Sequence, residues 1–180
     1  MALLPSNVGV PGPEGPEGPQ GPEGQQGPSG ITSVRRKSEL LFTGISLLVP
    51  QTTTNLINLI KTLTPTSGTF APFFDTTNNK LVVFNNNSTV TFKINILGSW
   101  QGGSSSRSME VDFVGTTGNR LVESRDVAVT TDTVSLPTFF SVDAGGNLAT
   151  NGAAITIKSN GGNFTATTIL LIAEQMVPTT

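Results

Sequence analysis

Glycine occupies every third position from Gly9 onward without a miss: Gly9, Gly12, Gly15, Gly18, Gly21, Gly24, Gly27 and Gly30. The run reads GVPGPEGPEGPQGPEGQQGPSG and contains seven full Gly-X-Y triplets. Three polyproline-type chains wind around one axis only if every third residue lacks a side chain, because nothing larger than hydrogen fits at the centre. A flexible Pro/Gly linker has a similar composition but no reason to keep glycine in phase. The strict period therefore predicts a collagen-like triple helix over residues 9–30, a rod of roughly 65 Å at ~3.1 Å per residue. One polypeptide cannot make it alone. The expected molecule is a homotrimer with these glycines on its axis.

Five of the seven triplets place proline directly after glycine, and the third position mostly holds Glu or Gln, so hydroxyproline is not required. Seven such triplets are marginal by themselves, and whatever follows Gly30 is expected to hold three chains in register. The predicted organisation is a docking peg at 1–8, the stalk at 9–30, a linker or neck at 31–38, and a trimerisation knob at 39–180. A domain of about 150 residues is large enough to bury a core.

Composition narrows the remaining choices. Cysteine is absent, so no disulfide framework is available and stability has to come from packing and association. A net charge of −2 with 12% charged residues offers no broad basic surface for nucleic acid. No stretch approaches the ~20 apolar residues of a membrane span. The first eight residues, MALLPSNV, lack the basic start and apolar core of a secretory signal. Within them Ala2, Leu3, Leu4 and Pro5 are candidates for docking the rod on a larger assembly; the alternative is a frayed terminus. Arg35, Arg36 and Lys37 form the one dense basic cluster. Pairing with Glu39 and with Glu14, Glu17 and Glu23 is the favoured reading, and contact with an acidic surface is the alternative.

From residue 39 onward, short apolar runs rich in Thr, Asn, Ser, Gly and Val alternate with turn signals. Candidate strands are 40–42, 45–49, 55–63, 69–74, 80–84, 89–97, 107–114, 120–123, 131–142, 153–158 and 165–174. Alternation is clean in TVTFKINIL, where Val90, Phe92, Ile94 and Ile96 share one face, and again at Met109, Val111 and Phe113. The segment NLINLIKTL also fits a helical face, but its flanking breakers TTTN and TPTSG favour a strand. Turns are expected around 76–79, 85–87, 102–103, 117–119, 143–147 and 160–163. The predicted fold is mainly β, a collagen-like triple helix followed by an antiparallel β-sandwich or jelly roll. The last strand carries the unbroken apolar run Ile169, Leu170, Leu171, Ile172 and Ala173, so both of its faces are expected to be dry. The first four are therefore candidates for the trimer seam.

A short N-terminal peg, a collagen-like stalk and a C-terminal β-knob ending in an apolar strand resemble collagen-stalked fibre proteins of tailed bacteriophages. The architecture is also similar to jelly-roll trimers of the complement and tumour necrosis factor type, and to collagen-like glycoproteins of bacterial spore surfaces. The segment FFSVDAGGNLATNGAAITIKSNGGNFTATTILLIAEQ, residues 139–175, is similar to the end of phage fibre domains. The resemblance implies a surface-exposed virion protein that touches other virion proteins of the tail, baseplate or capsid. It brings no catalytic motif to particular residues.

Enzymatic chemistry has few means here. With no His, Cys or Tyr, the usual nucleophile and base partnerships cannot be built. Asp126 with Asp132, or Glu110 with Asp112, is the conceivable acid pair for glycoside cleavage; alternating solvent-facing positions on one strand explain Glu110 and Asp112 better. Asp143, Asn147 and Asn151 are loosely spaced like oxygen ligands but lack the dense carboxylates of a calcium loop, and a hairpin turn is the better reading. No cofactor or metal is expected. Binding remains: Trp100, the sole tryptophan, lies beside Gln101 and Arg107 in GSWQGGSSSR, and an exposed indole there would stack on a sugar ring. The competing reading is a Trp that closes the edge of the core.

These observations predict a non-enzymatic, homotrimeric virion fibre that docks by its N-terminus and presents a knob for attachment to host-surface glycan, without nucleic acid or membrane insertion. A head fibre decorating the capsid and a bacterial or spore-surface adhesin are the alternatives.

Overall fold

The structure, a computed structural model, describes residues 9, 12–15, 17, 20–21, 30, 32–103, 106–116 and 118–179. The chain divides into two units, Met1–Gly30 and Ile31–Thr180. The docking candidates Ala2, Leu3, Leu4 and Pro5, and the axis glycines Gly18, Gly24 and Gly27, lie outside the described residues.

In the first unit a Cβ added at Gly9, Gly12, Gly15, Gly21 or Gly30 would meet nothing within 4 Å, and none of these five has a positive φ. Close packing and left-handed backbone are the two reasons a single chain has for requiring glycine. Neither operates at these positions.

In the second unit, alternating apolar and polar side chains build two antiparallel sheets. The elements are β1 Ser33–Val49, β2 Thr54–Asn55, α1 Leu56–Ile60, β3 Ser67–Gly68, β4 Phe74–Asp75, β5 Lys80–Leu81, β6 Ser88–Gln101, β7 Arg107–Val114, β8 Arg120–Arg125, β9 Thr131–Val142, α2 Asn147–Asn151, β10 Ala154–Asn160 and β11 Asn163–Pro178. One sheet has the order β3-β1-β11-β6-β9 and the other β2-β10-β7-β8, with β4 and β5 forming a small ribbon. Strands adjacent in space are mostly distant in sequence: β1 pairs with β11, and β11 with β6.

A single apolar core lies between the two sheets. The residues that alternate inward on β6, namely Val90, Phe92, Ile94 and Ile96, are fully buried, as are Met109, Val111 and Phe113 on β7. Phe113 bridges the layers, meeting Phe92 with centroids 4.8 Å apart and Phe140 of β9 at 4.5 Å. Such ring pairs add ~0.5–1.5 kcal/mol beyond the ~1.5–3 kcal/mol gained by burying each side chain.

Several expectations are corrected. The expected linker at 31–38 is taken up by β1 from Ser33 onward, where Ser33 to Lys37 already pair with Pro178 to Glu174 of β11. The two expected strands 40–42 and 45–49 are one, because Gly44, at φ 67°, carries the chain through a bulge instead of ending the strand. NLINLIKTL forms the helix α1, started by Asn55, whose side chain accepts a hydrogen bond from the Asn58 amide at 2.9 Å. Leu56, Ile57 and Ile60 then share one buried face. The expected strands 69–74 and 80–84 shrink to Phe74–Asp75 and Lys80–Leu81. Asp143 to Asn151 is a turn followed by the short helix α2, not a hairpin.

A close approach fixes one more residue. β11 bulges between Ala166 and Thr168 where it pairs with β6, and a Cβ at Gly98 would overlap the Thr165 carbonyl oxygen and the Phe164 ring. Only glycine fits there.

Candidate functional site

Trp100 lies at the far end of β6, opposite Phe164 of β11. Its indole is 4% exposed and packs edge to face on Phe164, with centroids 4.9 Å apart. The face expected to stack on a sugar is thus occupied from within, and Trp100 closes the core edge. Arg107 is 5% exposed; its guanidinium donates to the carbonyl of Val129 and, at 3.0 Å, to that of Gly102. It ties two loops to the sandwich and presents no donor fork to solvent. Gln101 is exposed, and its amide donates to the Ser99 hydroxyl at 3.2 Å. The three glycan candidates therefore do not form one exposed platform.

The apolar run of β11 is divided by the pleat. Ile169 and Leu171 point into the core and are buried, whereas Leu170 and Ile172 lie on the outer face of their sheet and are half-buried. Leu41 of β1 stands directly opposite Leu170 on that outer face. Of the four seam candidates, Leu170 and Ile172 are available to a second molecule, and Ile169 and Leu171 are consumed by the protomer's own core.

Two cations of the basic cluster are paired with carboxylates of the knob and the third lies near an aromatic ring. Arg35 pairs with Glu174 at 2.7 Å, Lys37 with Glu39 at 2.5 Å, and the Arg36 guanidinium lies 5.2 Å from the centroid of the Phe84 ring. Pairing with Glu39 matches expectation, while Glu174 supplies the partner of Arg35.

Three of the four carboxylates considered for catalysis, Glu110, Asp126 and Asp132, have structural partners. Glu110 is held by Arg120 at 2.5 Å and Lys158 at 3.4 Å, and this hydrogen bond and charge keep the Arg120 guanidinium above its ordinary value. Arg125 joins Glu123 and Asp132, the latter at 2.7 Å, and is likewise raised, chiefly by Glu123. Asp126 caps a turn by accepting from the Ala128 amide at 2.8 Å. Asn147 donates to the Gly115 carbonyl at 2.8 Å and accepts from Asn151 at 2.7 Å, so the loosely metal-like spacing is spent on mutual hydrogen bonds. Among the described residues no group of three acidic, His or Cys side chains is placed to hold a metal ion.

A groove that sequence reasoning missed lies where the β7–β8 turn meets the end of β9 and the start of α2. It encloses about 420 Å³ and is lined by Thr116, Asn119, Phe139, Ser141, Asp143 and Asn147, among others. Hydroxyls, amides and one carboxylate beside an aromatic ring suit a hydroxyl-rich ligand. The turn signals at 117–119 and 143–147 were visible in the sequence; their convergence follows from a strand order that was not.

Residues 34–175 match the family described as the Sf6-type phage tail needle knob or tip of some Caudovirales. The tail needle protein of Shigella phage Sf6 is 57% identical over 143 residues, which are 79% of this chain and 51% of that protein. The chain thus spans about half the length of this curated relative. Among solved structures, PRD1 vertex protein P5 superposes with a TM-score of 0.47 at 11% identity, covering 83% of this chain and 99% of that one. A chain of the Bacillus endospore appendages gives 0.39 at 8% identity, covering 86% and 99%. The matched family residues take in nearly all of the β-sandwich, from Val34 in β1 to Gln175 in β11, and the chain belongs to the Sf6-type phage tail needle knob family, a structural component of the virion.

Proposed function

We propose that this chain is the distal part of a homotrimeric tail needle, with a collagen-like triple-helical rod at 9–30 and a jelly-roll knob that sets its register. The observation that carries the reading is the glycine period. Five described glycines of the repeat have no steric or conformational reason to be glycine within one chain, and three chains around a common axis supply that reason. The order β1-β11-β6-β9 facing β2-β10-β7-β8 supports the jelly roll, since consecutive strands repeatedly change sheets as in that double Greek key. The half-buried outer residues Leu170 and Ile172 support self-association. The role is mechanical and adhesive, not enzymatic: one carboxylate of each conceivable acid pair, Glu110 and Asp132, is held in an ion pair.

The N-terminus, with Ala2, Leu3, Leu4 and Pro5, is the end that joins other virion proteins in this reading. A second reading, contact of the knob with host-surface glycan, is favoured by the groove at Thr116, Asn119, Ser141 and Asp143, which takes the place of the Trp100 platform. Electron microscopy of particles labelled with antibody against residues 31–180 tests the assignment. Label at the tail tip supports the needle, whereas label spread over the head overturns it in favour of a capsid fibre. Binding of the knob to host polysaccharide, lost on Asp143→Ala, tests the glycan reading; equal binding by both proteins rejects that groove.

A further inference from the structure

Strand register brings the beginning and the end of the knob's chain to one end of the sandwich. β1 is entered at Ser33, opposite Pro178 of β11, and left at Val49, opposite Phe164. At the entry end the Thr179 amide also donates to the Thr32 carbonyl at 2.8 Å. Trp100 lies opposite Phe164, and Ser99 opposite Thr131, so the turns that follow β6, precede β9 and join β10 to β11 all lie at the other, far end. A pull on the chain ahead of Ser33 thus has two distinct geometries, one against the far end and one against the C-terminus beside it.

β11 is the only long neighbour of β1 in its sheet. The two pair from Ser33 to Thr43 and, beyond the bulge, from Leu47 to Val49, whereas β3 pairs with β1 only at Leu40 and Leu41. β11 is held on its other side by β6 along most of its length, and β6 by β9. Tension between the residues ahead of Ser33 and the far end runs along β1. Hydrogen bonds of an antiparallel pair lie across the strands, so this pull loads the whole β1–β11 ladder in shear at once. Buried side chains pin the register as well: Leu40, Phe42 and Val49 sit in the core, and a one-residue slip would exchange inward and outward faces. Tension between the same residues and the C-terminus instead opens the ladder pair by pair, beginning at Ser33 and Pro178. We propose that β1 is the strand through which the knob carries tension, strong against a pull toward its N-terminal side when the far end is held and weak against a pull that parts its own chain ends. The inference adds a direction of mechanical strength to the needle reading, and it requires neither the triple helix nor the polar groove.

Single-molecule force spectroscopy on the full chain tests this. The chain contains no cysteine, so one introduced thiol defines the anchor, and the pulling handle is joined to the N-terminus in every case. Val127→Cys, at an exposed position in the turn before β9, anchors the far end; a cysteine appended after Thr180 anchors the entry end. Forced unfolding is governed by the unfolding rate, and at equal pulling speed the far-end anchor is expected to rupture at a force several-fold above that of the C-terminal anchor. Gln101→Cys, exposed at the far end of β6, should reproduce the high force and so separate geometry from any weakening by the Val127 substitution. Rupture forces from both far-end anchors that are equal to, or below, that of the C-terminal anchor would overturn the inference.

Discussion

The indole of Trp100 meets the ring of Phe164 edge to face, with centroids 4.9 Å apart and planes inclined at 75°, and the two residues are cross-strand partners between β6 and β11. The contact seals the end of the sandwich at which Arg107 fastens the carbonyls of Val129 and Gly102.

Trp100→Ala empties this corner and is expected to cost about 3–5 kcal/mol, the usual range for removing a large buried aromatic. Trp100→Phe retains the ring contact and should cost much less. Urea unfolding measures both. Because Trp100 is the sole tryptophan, its fluorescence follows the transition directly; the native emission should be blue-shifted and poorly quenched by iodide. Ready quenching of the native protein would contradict the burial.

Gln175, 2% exposed, is a second keystone. Its side-chain oxygen accepts from the amides of Phe84 and Asn85 at 2.9 and 3.1 Å, and its amide nitrogen donates to the Asn85 carbonyl at 2.8 Å. Gln175→Leu fills the space but strands two donors and an acceptor, at about 1–3 kcal/mol for each group left without water. The loop at 84–87 should lose amide-exchange protection before the rest of the knob does. Unchanged protection there would refute the role given to Gln175.

Local patterning was legible in the sequence where burial alternates along one strand. The limits of β7 and β9 match the expected 107–114 and 131–142, since each position there is decided by the pleat alone. It was not legible where a partner from elsewhere decides. A linker or neck was expected at 31–38, yet from Ser33 onward that segment is a strand because β11 extends far enough to pair with it. NLINLIKTL satisfied both periods, and the Asn55 cap together with the core beneath Leu56, Ile57 and Ile60 settled it as a helix. Trp100 is buried because β11 lays Phe164 across it, a contact 64 residues away in sequence. The polar groove depends in the same way on the β7–β8 turn and the β9–α2 turn converging.

Asp75 gives the knob an acid-sensitive turn. Its carboxylate accepts from the Asn78 side chain at 2.7 Å and from the Asn78 and Thr77 amides, and these bonds hold it below its ordinary value of 3.8. A depressed carboxylate contributes stability that is fully present above its unfolded value and is lost as the pH falls through the lower, folded value. The turn should therefore hold down to pH 3.8 and loosen below it. An NMR titration should place the Asp75 midpoint under 3.8, and Asp75→Asn should flatten this part of the acid limb. A midpoint at or above 3.8 would contradict these hydrogen bonds.

The stalk offers the most direct test of the three-chain reading, because a single chain gives Gly15 no reason to resist substitution. A Cβ at Gly15 meets nothing within 4 Å inside one chain, and its φ is not left-handed. In a lone flexible linker, Gly15→Ala would be silent. At the axis of three chains the same methyl group is introduced three times at one level, where only hydrogen fits, and the triple helix should break locally. Thermal melting followed by circular dichroism should then show the polyproline-type signal of the stalk lost at a distinctly lower temperature, with the β-knob transition unmoved. Glu14→Ala, one residue away at a position that faces outward in such a helix, should leave both transitions nearly unchanged. Equal, negligible effects of the two substitutions would show that the period is not read by a triple helix.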